Sequence, residues 1–358
     1  MHGPSKTLLS LALCAWWLAS PVRETHACTT FCLQRGPELV FGKNYDWAVA
    51  DGLLFVNKRG MAKTAPLPSQ ERPASWVSRY GSVTFNQYGR EFPNGGMNEA
   101  GLVVELMWLD ETRWPAPDQR PALGCLEWIQ YQLDNFANVG EVVRHVGGLR
   151  VTSDATVHYL VCDKGGACAS VEFLDGKAVY HTGGTLPVKA LANDTYAESL
   201  QFLERHRDDP AALAGMGSLQ RFSRAATLVE KYGSRGAGSP VDDAFDVLQR
   251  VSPGSYTKWS IVYDLRARRV HWRTLDNPKV RFVDLSGFDF SCRTPVKLLD
   301  VNGAVAGNVT HRFTDYQSER NRSLVAAAVR KTNFLAKTPA EEIAEVARHP
   351  ETTTCQTK

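Results

Sequence analysis

The chain has 358 residues, 43% hydrophobic and 22% charged, a composition that supports a large buried core and argues against a disordered or low-complexity polymer. A net charge of +3 with no run of like charges argues against a surface built for nucleic acid or anionic lipid. The length permits one large domain or two.

Residues 1–27 are laid out as a secretory leader. Lys6 supplies positive charge, Leu8 to Leu18 form a short apolar run, Pro21 breaks the helix, and Thr25 and Ala27 place small residues at −3 and −1. Cleavage after Ala27 predicts an exported protein, periplasmic or secreted, that begins with Cys28. No later stretch approaches the roughly 20 continuous apolar residues of a membrane span, so no membrane partner is expected after cleavage. Cys14 would leave with the leader, and seven of the eight cysteines would remain. An odd count in an exported chain leaves one thiol unpaired or bridged between molecules. If Cys28 is the free one, Cys32, Cys125, Cys162, Cys168, Cys292 and Cys355 remain. Cys162 and Cys168 flank a Gly-Gly turn and stand within reach of a bridge, with two buried thiols as the rival reading. No Cys/His set has structural zinc spacing, so no metal and no cofactor is expected.

In chain order, Thr29 to Leu33 and Leu39 to Gly42 read as a hairpin around Gln34-Arg35-Gly36-Pro37. Leu53 to Lys58 is a further strand, and 62–75 a Pro- and Ser-containing loop. Trp76 to Tyr88 alternates like a strand, Gly95 to Gly101 reads as a turn, and Leu102 to Leu109 as an apolar strand. Leu126, Ile129, Leu133 and Phe136 recur at helical spacing, and Val139 to Val146 extends that helical region. Thr156 to Cys162, Ala169 to Leu174 and Ala178 to His181 return to strands. Tyr196 to His206 and Phe222 to Tyr232 read as helices. Ser239-Pro240-Val241-Asp242 is a helix start with Ser as N-cap and Pro at the first position. Trp259 to Leu265 and Arg269 to Leu275 form a second hairpin, and Val280 to Leu285 another strand. Thr338-Pro339-Ala340-Glu341 resembles a capping box before Ile343 to Ala347. Strands at both ends enclose helices in the middle, an α+β order with antiparallel sheets in a single domain over 28–358 that ends in a helical extension.

A mature N-terminal Cys28 would carry a thiol and a free α-amine on one Cα. The thiolate is the attacking species. A thiol of pKa about 8.5 beside an amine of roughly 7.7–8.0 can pass its proton to that amine near neutral pH. Such chemistry also needs a carboxylate to hold the amine, a cation to favour the thiolate, and donors for an oxyanion. Lys43 and Asp46, across the first hairpin from Cys28, offer the cation and the carboxylate. Asn193 offers an oxyanion donor, and Arg221 opens a helix after a flexible Gly-Met-Gly-Ser. Each has a plain alternative: a charged turn for the first two, a turn asparagine, and a solvated arginine.

Cys28-Thr29-Thr30-Phe31 behind a leader, Gly42-Lys43-Asn44-Tyr45-Asp46-Trp47, Gly96-Met97-Asn98-Glu99-Ala100-Gly101-Leu102, Leu191-Ala192-Asn193, Arg221-Phe222-Ser223-Arg224-Ala225 and Tyr256 to Asp264 occur in this order. Together they resemble the choloylglycine hydrolase family of N-terminal nucleophile hydrolases, which includes bile salt hydrolases and penicillin V acylases. The resemblance covers roughly residues 28–290. It implies a four-layer αββα sandwich of two antiparallel sheets and hydrolysis of linear, non-peptide C–N bonds of a small acyl-amide substrate. It also implies a homo-oligomer, commonly a tetramer. Carried over by position, Cys28 is nucleophile and base, Asp46 holds the α-amine, Asn193 serves the oxyanion, Arg221 completes the polar network, and Trp47 and Trp108 line the substrate site. Lys43 departs from the arginine of many members and lacks its planar fork of donors. Trp108 replaces a smaller or more polar residue and favours an aromatic or fatty acyl group over a steroid. The rival reading is a binding module, either a lipoprotein with Cys28 lipidated or a catalytically inactive homologue. Three Asn-x-Ser/Thr sites, at Asn193, Asn308 and Asn321, matter only in a eukaryotic secretory pathway, and a glycan on Asn193 would conflict with its oxyanion role.

Overall fold

The computed structural model describes residues 27–67, 71–232 and 238–356. The leader reading, with Lys6 and Cys14, lies almost wholly outside the described residues. Two large sheets face each other. One has seven strands in the order Ala190–Leu191, Thr29–Arg35 (β1), Glu38–Asp46 (β2), Thr257–Asp264, Arg269–Thr274, Arg281–Asp284 and Gly307–Asn308. The other has nine, running from Lys177–Thr182 through Cys168–Leu174, Val157–Cys162, Val103–Trp108, Gly95–Asn98, Ser82–Asn86, Leu53–Asn57 and Lys297–Asp300 to Thr314–Asp315.

Period-two alternation assigns each face of the nine-stranded sheet. Val103 and Met107 point into the core shared with Phe31, Phe41 and Ile261 of the other sheet. Val104 and Leu106 point the opposite way and pack with Trp128, Ile129 and Leu133 of helix α1 (Cys125–Asn135) and Val142 of α2 (Val139–His145). On the far side of the seven-stranded sheet, α4 (Ser218–Tyr232) packs on β1, and α5 (Pro240–Arg250) on β2. Helix α3 (Tyr196–His206) packs against α4. The result is the four-layer αββα sandwich.

Local signals worked where a side chain caps or an apolar face is periodic. Helix α5 starts at Pro240 with the Ser239 hydroxyl accepting from the Asp242 N–H, as its sequence predicts. Helix α3 spans Tyr196–His206 as expected. The sequence readings fail where distant partners decide. Gly95 and Gly96 belong to a strand, not a turn: a Cβ on Gly95 would meet the Glu105 carboxylate, and one on Gly96 would lie 2.5 Å from the Val83 carbonyl oxygen. The Trp76 to Tyr88 stretch is two strands, Ser75–Val77 and Ser82–Asn86, interrupted where the Arg79 and Tyr80 N–H groups donate to the Asp134 carbonyl. A short strand, Met61–Thr64, stands in the expected 62–75 loop. Helix α7 (Ala340–Arg348) is preceded by Pro339 and has no side-chain cap, so the Thr338 capping box does not form. Helix α6 (Ser318–Lys331) lay in a stretch without a sequence assignment.

Cys162 and Cys168 are bridged directly across their strand pair. A second bridge, Cys292–Cys355, pins the end of the chain. Cys28, Cys32 and Cys125 are free and buried.

A buried ion cluster ties the loop after Asn86 to α1. Lys63 Nζ lies 2.6 Å from Glu91 and 2.9 Å from Asp134. Trp76 Nε1 donates to the second of these carboxylates. Such a cluster holds because every charge has an opposite neighbour, and removing one partner strands the others.

Glu127, in the first turn of α1, accepts from the Gly124 N–H at 2.9 Å, and burial pushes its carboxyl up to about 7. The folded chain therefore holds this proton more tightly than the unfolded chain. The contribution of Glu127 to stability is most favourable below the ordinary carboxyl pKa, declines as pH rises, and is fully unfavourable above about 7. Glu127→Gln, which keeps the acceptor oxygen, is expected to melt above wild type at pH 8 with the difference closing by pH 4. Equal melting temperatures at pH 8 would contradict this.

Candidate active site

Cys28 stands immediately before β1, which pairs with β2 so that Thr29 faces Asn44 and Thr30 faces Lys43. This register brings Cys28 beside the end of β2, and its Sγ lies 3.8 Å from the Asp46 carbonyl oxygen. The residue is 4% exposed and lines a cavity. Burial pushes the thiol up, while the Lys43 and Arg221 cations pull it back.

Lys43 is wholly buried between the sheets, and its ammonium donates to the Leu106 carbonyl of the facing sheet. Nearby, burial pushes Glu105 up to about 7 against the pull of Lys43 and of the Tyr263 hydroxyl that donates to it. Asp46 is also wholly buried, and burial pushes it up to about 7. Thr257, its partner across the strand pair, approaches closely enough to pull it back, but neither carboxylate oxygen has a hydrogen bond of normal geometry. An unpartnered buried carboxylate is costly, so a donor is wanted at this point. The peptide N–H of an uncut Ala27–Cys28 bond is a single neutral donor. A freed α-amine would bring a charged one.

Arg221, in the first turn of α4, gathers the chain around this point. Its Nη1 donates to the carbonyls of Ala27 and Cys28, the latter at 2.6 Å, and to the Thr29 hydroxyl at 2.7 Å. Nη2 donates to Asn193 Oδ1 at 2.9 Å, and Nε to the Met216 carbonyl at 3.1 Å. Because the guanidinium has only donors, it fixes which end of the Asn193 amide is oxygen. Asn193 Nδ2 then donates one hydrogen to the Trp108 carbonyl at 2.9 Å and has a second to offer. The Asn193 backbone N–H donates to the Ser218 hydroxyl at 2.7 Å. His158, buried on the Val157–Cys162 strand, anchors the preceding residue through the Ala192 carbonyl at 2.9 Å.

The structure thus brings together Cys28, Lys43, Asp46, Asn193 and Arg221. Trp47 and Trp108 line the cavity with ring centroids 5.9 Å apart. The sequence readings missed Thr257, Ser218 and His158, whose relevance depends on partners far along the chain. Asn321 is buried and bonded, its Nδ2 donating to the Ala347 carbonyl, which closes that Asn-x-Ser site to a glycan. Cys32 Sγ lies within 4.8 Å of both bridged sulfurs, but burial pushes its thiol up to about 12.

The cavity has a volume of about 320 Å³, at the small end of the range of ligand sites. Tyr88, Leu106, Leu126, Val157 and Val329 give it an apolar lining. Among the described residues, no helix is long and apolar enough to cross a membrane.

No protein-family model matches the chain. A penicillin V acylase from Pectobacterium atrosepticum is 26% identical over 336 residues, covering 80% of this chain and 88% of the relative. The solved structure of penicillin V acylase from Agrobacterium tumefaciens superposes with a TM-score of 0.71 at 27% identity, covering 81% of this chain and 98% of that one. A variant of conjugated bile acid hydrolase from Clostridium perfringens shares the fold, with a TM-score of 0.65 at 16% identity over 78% of this chain and 98% of that one. The sequence motifs, the sandwich and these likenesses all support the choloylglycine hydrolase family of N-terminal nucleophile hydrolases, and the chain is a linear amide hydrolase.

Proposed function

We propose that the exported chain, cut after Ala27, hydrolyses N-acyl amides with an apolar acyl group through a thioester on Cys28. The observation that carries this reading is the placement of the Cys28 thiol in an apolar cavity beside a buried carboxylate, Asp46, that has no hydrogen bond of normal geometry. The thiol proton passes to the α-amine of Cys28, directly or through water, and Sγ attacks the acyl carbonyl. The Asn193 Nδ2–H not used by Trp108 serves the oxyanion that forms. The ammonium, held by Asp46, returns its proton to the leaving nitrogen as the C–N bond breaks and the thioester forms. A water molecule, deprotonated by the same amine, then attacks the thioester. The acid leaves and the thiol is restored. Lys43 and Arg221 favour the thiolate by charge, and Arg221 also holds Cys28 in register through its own carbonyl.

The substrate class follows from the lining. Trp47, Trp108 and Leu106 suit a phenoxyacetyl or fatty-acyl group, as in penicillin V or an N-acyl-homoserine lactone, ahead of a conjugated bile salt. The same burial argues against a lipoprotein, because a lipid-bearing sulfur must reach the membrane and Cys28 is enclosed.

Cys28→Ala is expected to abolish turnover and Cys28→Ser to reduce it by orders of magnitude, both with an unchanged melting temperature. A protein that keeps Ala27 should be inactive, since its amine is an amide; full activity of that form, with intact mass verified, would exclude the amine as base. Asp46→Asn should lower kcat/KM by on the order of 10² or more, and a loss under threefold would place the partner of the amine elsewhere. Lys43→Met removes a charge that pulls the thiol down, so iodoacetamide should label Cys28 more slowly at pH 7 and its labelling profile should move to higher pH. An unmoved profile would remove Lys43 from the electrostatics of the thiol.

A further inference from the structure

One wall of the cavity comes from the end of the chain. Val329 of α6, Phe334 and Leu335 of the following turn, Thr338, and Ile343 and Val346 of α7 all line it. Apart from Thr338 this wall is hydrocarbon, and it faces the Trp47 and Trp108 side of the site. Phe334 is 47% exposed at the rim, its ring 5.7 Å from that of Trp108.

This helical unit is locked to the sandwich. The Trp47 indole N–H donates to the Tyr88 hydroxyl at 3.1 Å, which bonds the Thr332 hydroxyl at 2.9 Å. Thr332 donates onward to the Ala328 carbonyl, so the Tyr88 proton must point to Thr332 and the chain has one direction. The Arg90 N–H donates to Asn321 Oδ1 at 2.8 Å, and the Asn321 amide in turn holds the Ala347 carbonyl at the end of α7. Gly89 admits the unit, because a Cβ there would lie 2.6 Å from Val325. Beyond α7 the chain adds Thr354–Cys355 as a strand beside Met61–Thr64 and is pinned by the Cys292–Cys355 bridge. These bonds and the bridge tie the wall to the sandwich at several points.

Resting on the amidase reading above, we propose that the C-terminal helical unit is the gauge of acyl-chain length, with Val346 and Ile343 as the stop and Phe334 as the rim, and that the substrate carries a linear fatty-acyl chain. An aliphatic wall suits a flexible chain, whose methylenes each gain roughly fourfold in binding when buried. The gain should end where the chain meets α7.

The test is kcat/KM of the mature enzyme on N-acyl p-nitroanilides from butanoyl to tetradecanoyl. Wild type should rise by roughly fourfold per methylene and then level off. Val346→Trp should move the plateau to shorter chains, and Phe334→Ala, at an exposed position that tolerates truncation, should flatten the rise by removing the rim. Melting temperatures identify folded variants, and Phe334→Ala alone decides if Val346→Trp does not fold. A flat wild-type profile, or folded variants with the wild-type profile, would overturn the gauge and leave the amidase reading standing. Absence of turnover across the whole series by an enzyme whose Cys28 still alkylates would overturn the amidase reading and the gauge with it.

Discussion

The guanidinium of Arg221 is the constraint on which the site depends. It is 1% exposed, and a buried cation of this kind is tolerable only when its donors are met. They are met by the Ala27 and Cys28 carbonyls, the Thr29 hydroxyl, Asn193 Oδ1 and the Met216 carbonyl. Satisfying one arginine therefore fixes Cys28, orients the Asn193 amide, and docks the start of α4 against the first strand. Lysine could not substitute, since a point charge on a flexible stem has no fork with which to hold two segments at a set separation.

Around that anchor the protein accepts unfavourable burial. Asp46 and Glu105 are both pushed up to about 7, and the Lys43 cation pulls on both of them and on the thiol. Each group would be cheaper at the surface. Kept inside, they act through a low dielectric, where a cation shifts a thiol far more than it would in water. The buried Asp46 carboxylate, with only Thr257 close to it, is costly to local stability. Lys43 supplies the charge for which a planar arginine fork is not needed, because its single acceptor is one carbonyl of the opposite sheet.

The apolar half of the site is assembled differently. Trp47 leaves the end of β2, Trp108 ends a strand of the facing sheet, and the closing wall comes from α6 and α7. No two of these are near in sequence. Hydrogen bonds through Tyr88 and Asn321, not apolar contact alone, set the position of that wall. Apolar contact is non-directional, and directional bonds give a cavity a defined end.

Much was legible along the chain because it depends on near neighbours. The hairpin that sets Cys28 beside Asp46, the Ser239 cap and the apolar stripe of α1 are encoded within a few residues, where turn chemistry and periodicity act. Cys28, Lys43, Asp46, Asn193, Arg221 and the two tryptophans were identifiable as a set through the order of their motifs, although nothing local joined Arg221 to Cys28. Other features belonged to the tertiary structure alone. Gly95 and Gly96 read as a turn until the strand neighbours that require them were in place. The unpaired state of Asp46, the direction of the Asn193 amide and the pairing of Cys292 with Cys355 rest on groups brought together from distant segments. The sequence by itself determined which chemistry the chain carries, because residue type and local spacing decide that. Only the packing of two sheets and a C-terminal helical pair decided the shape of the cavity around it, because burial and long-range hydrogen bonds exist only once the chain has closed on itself.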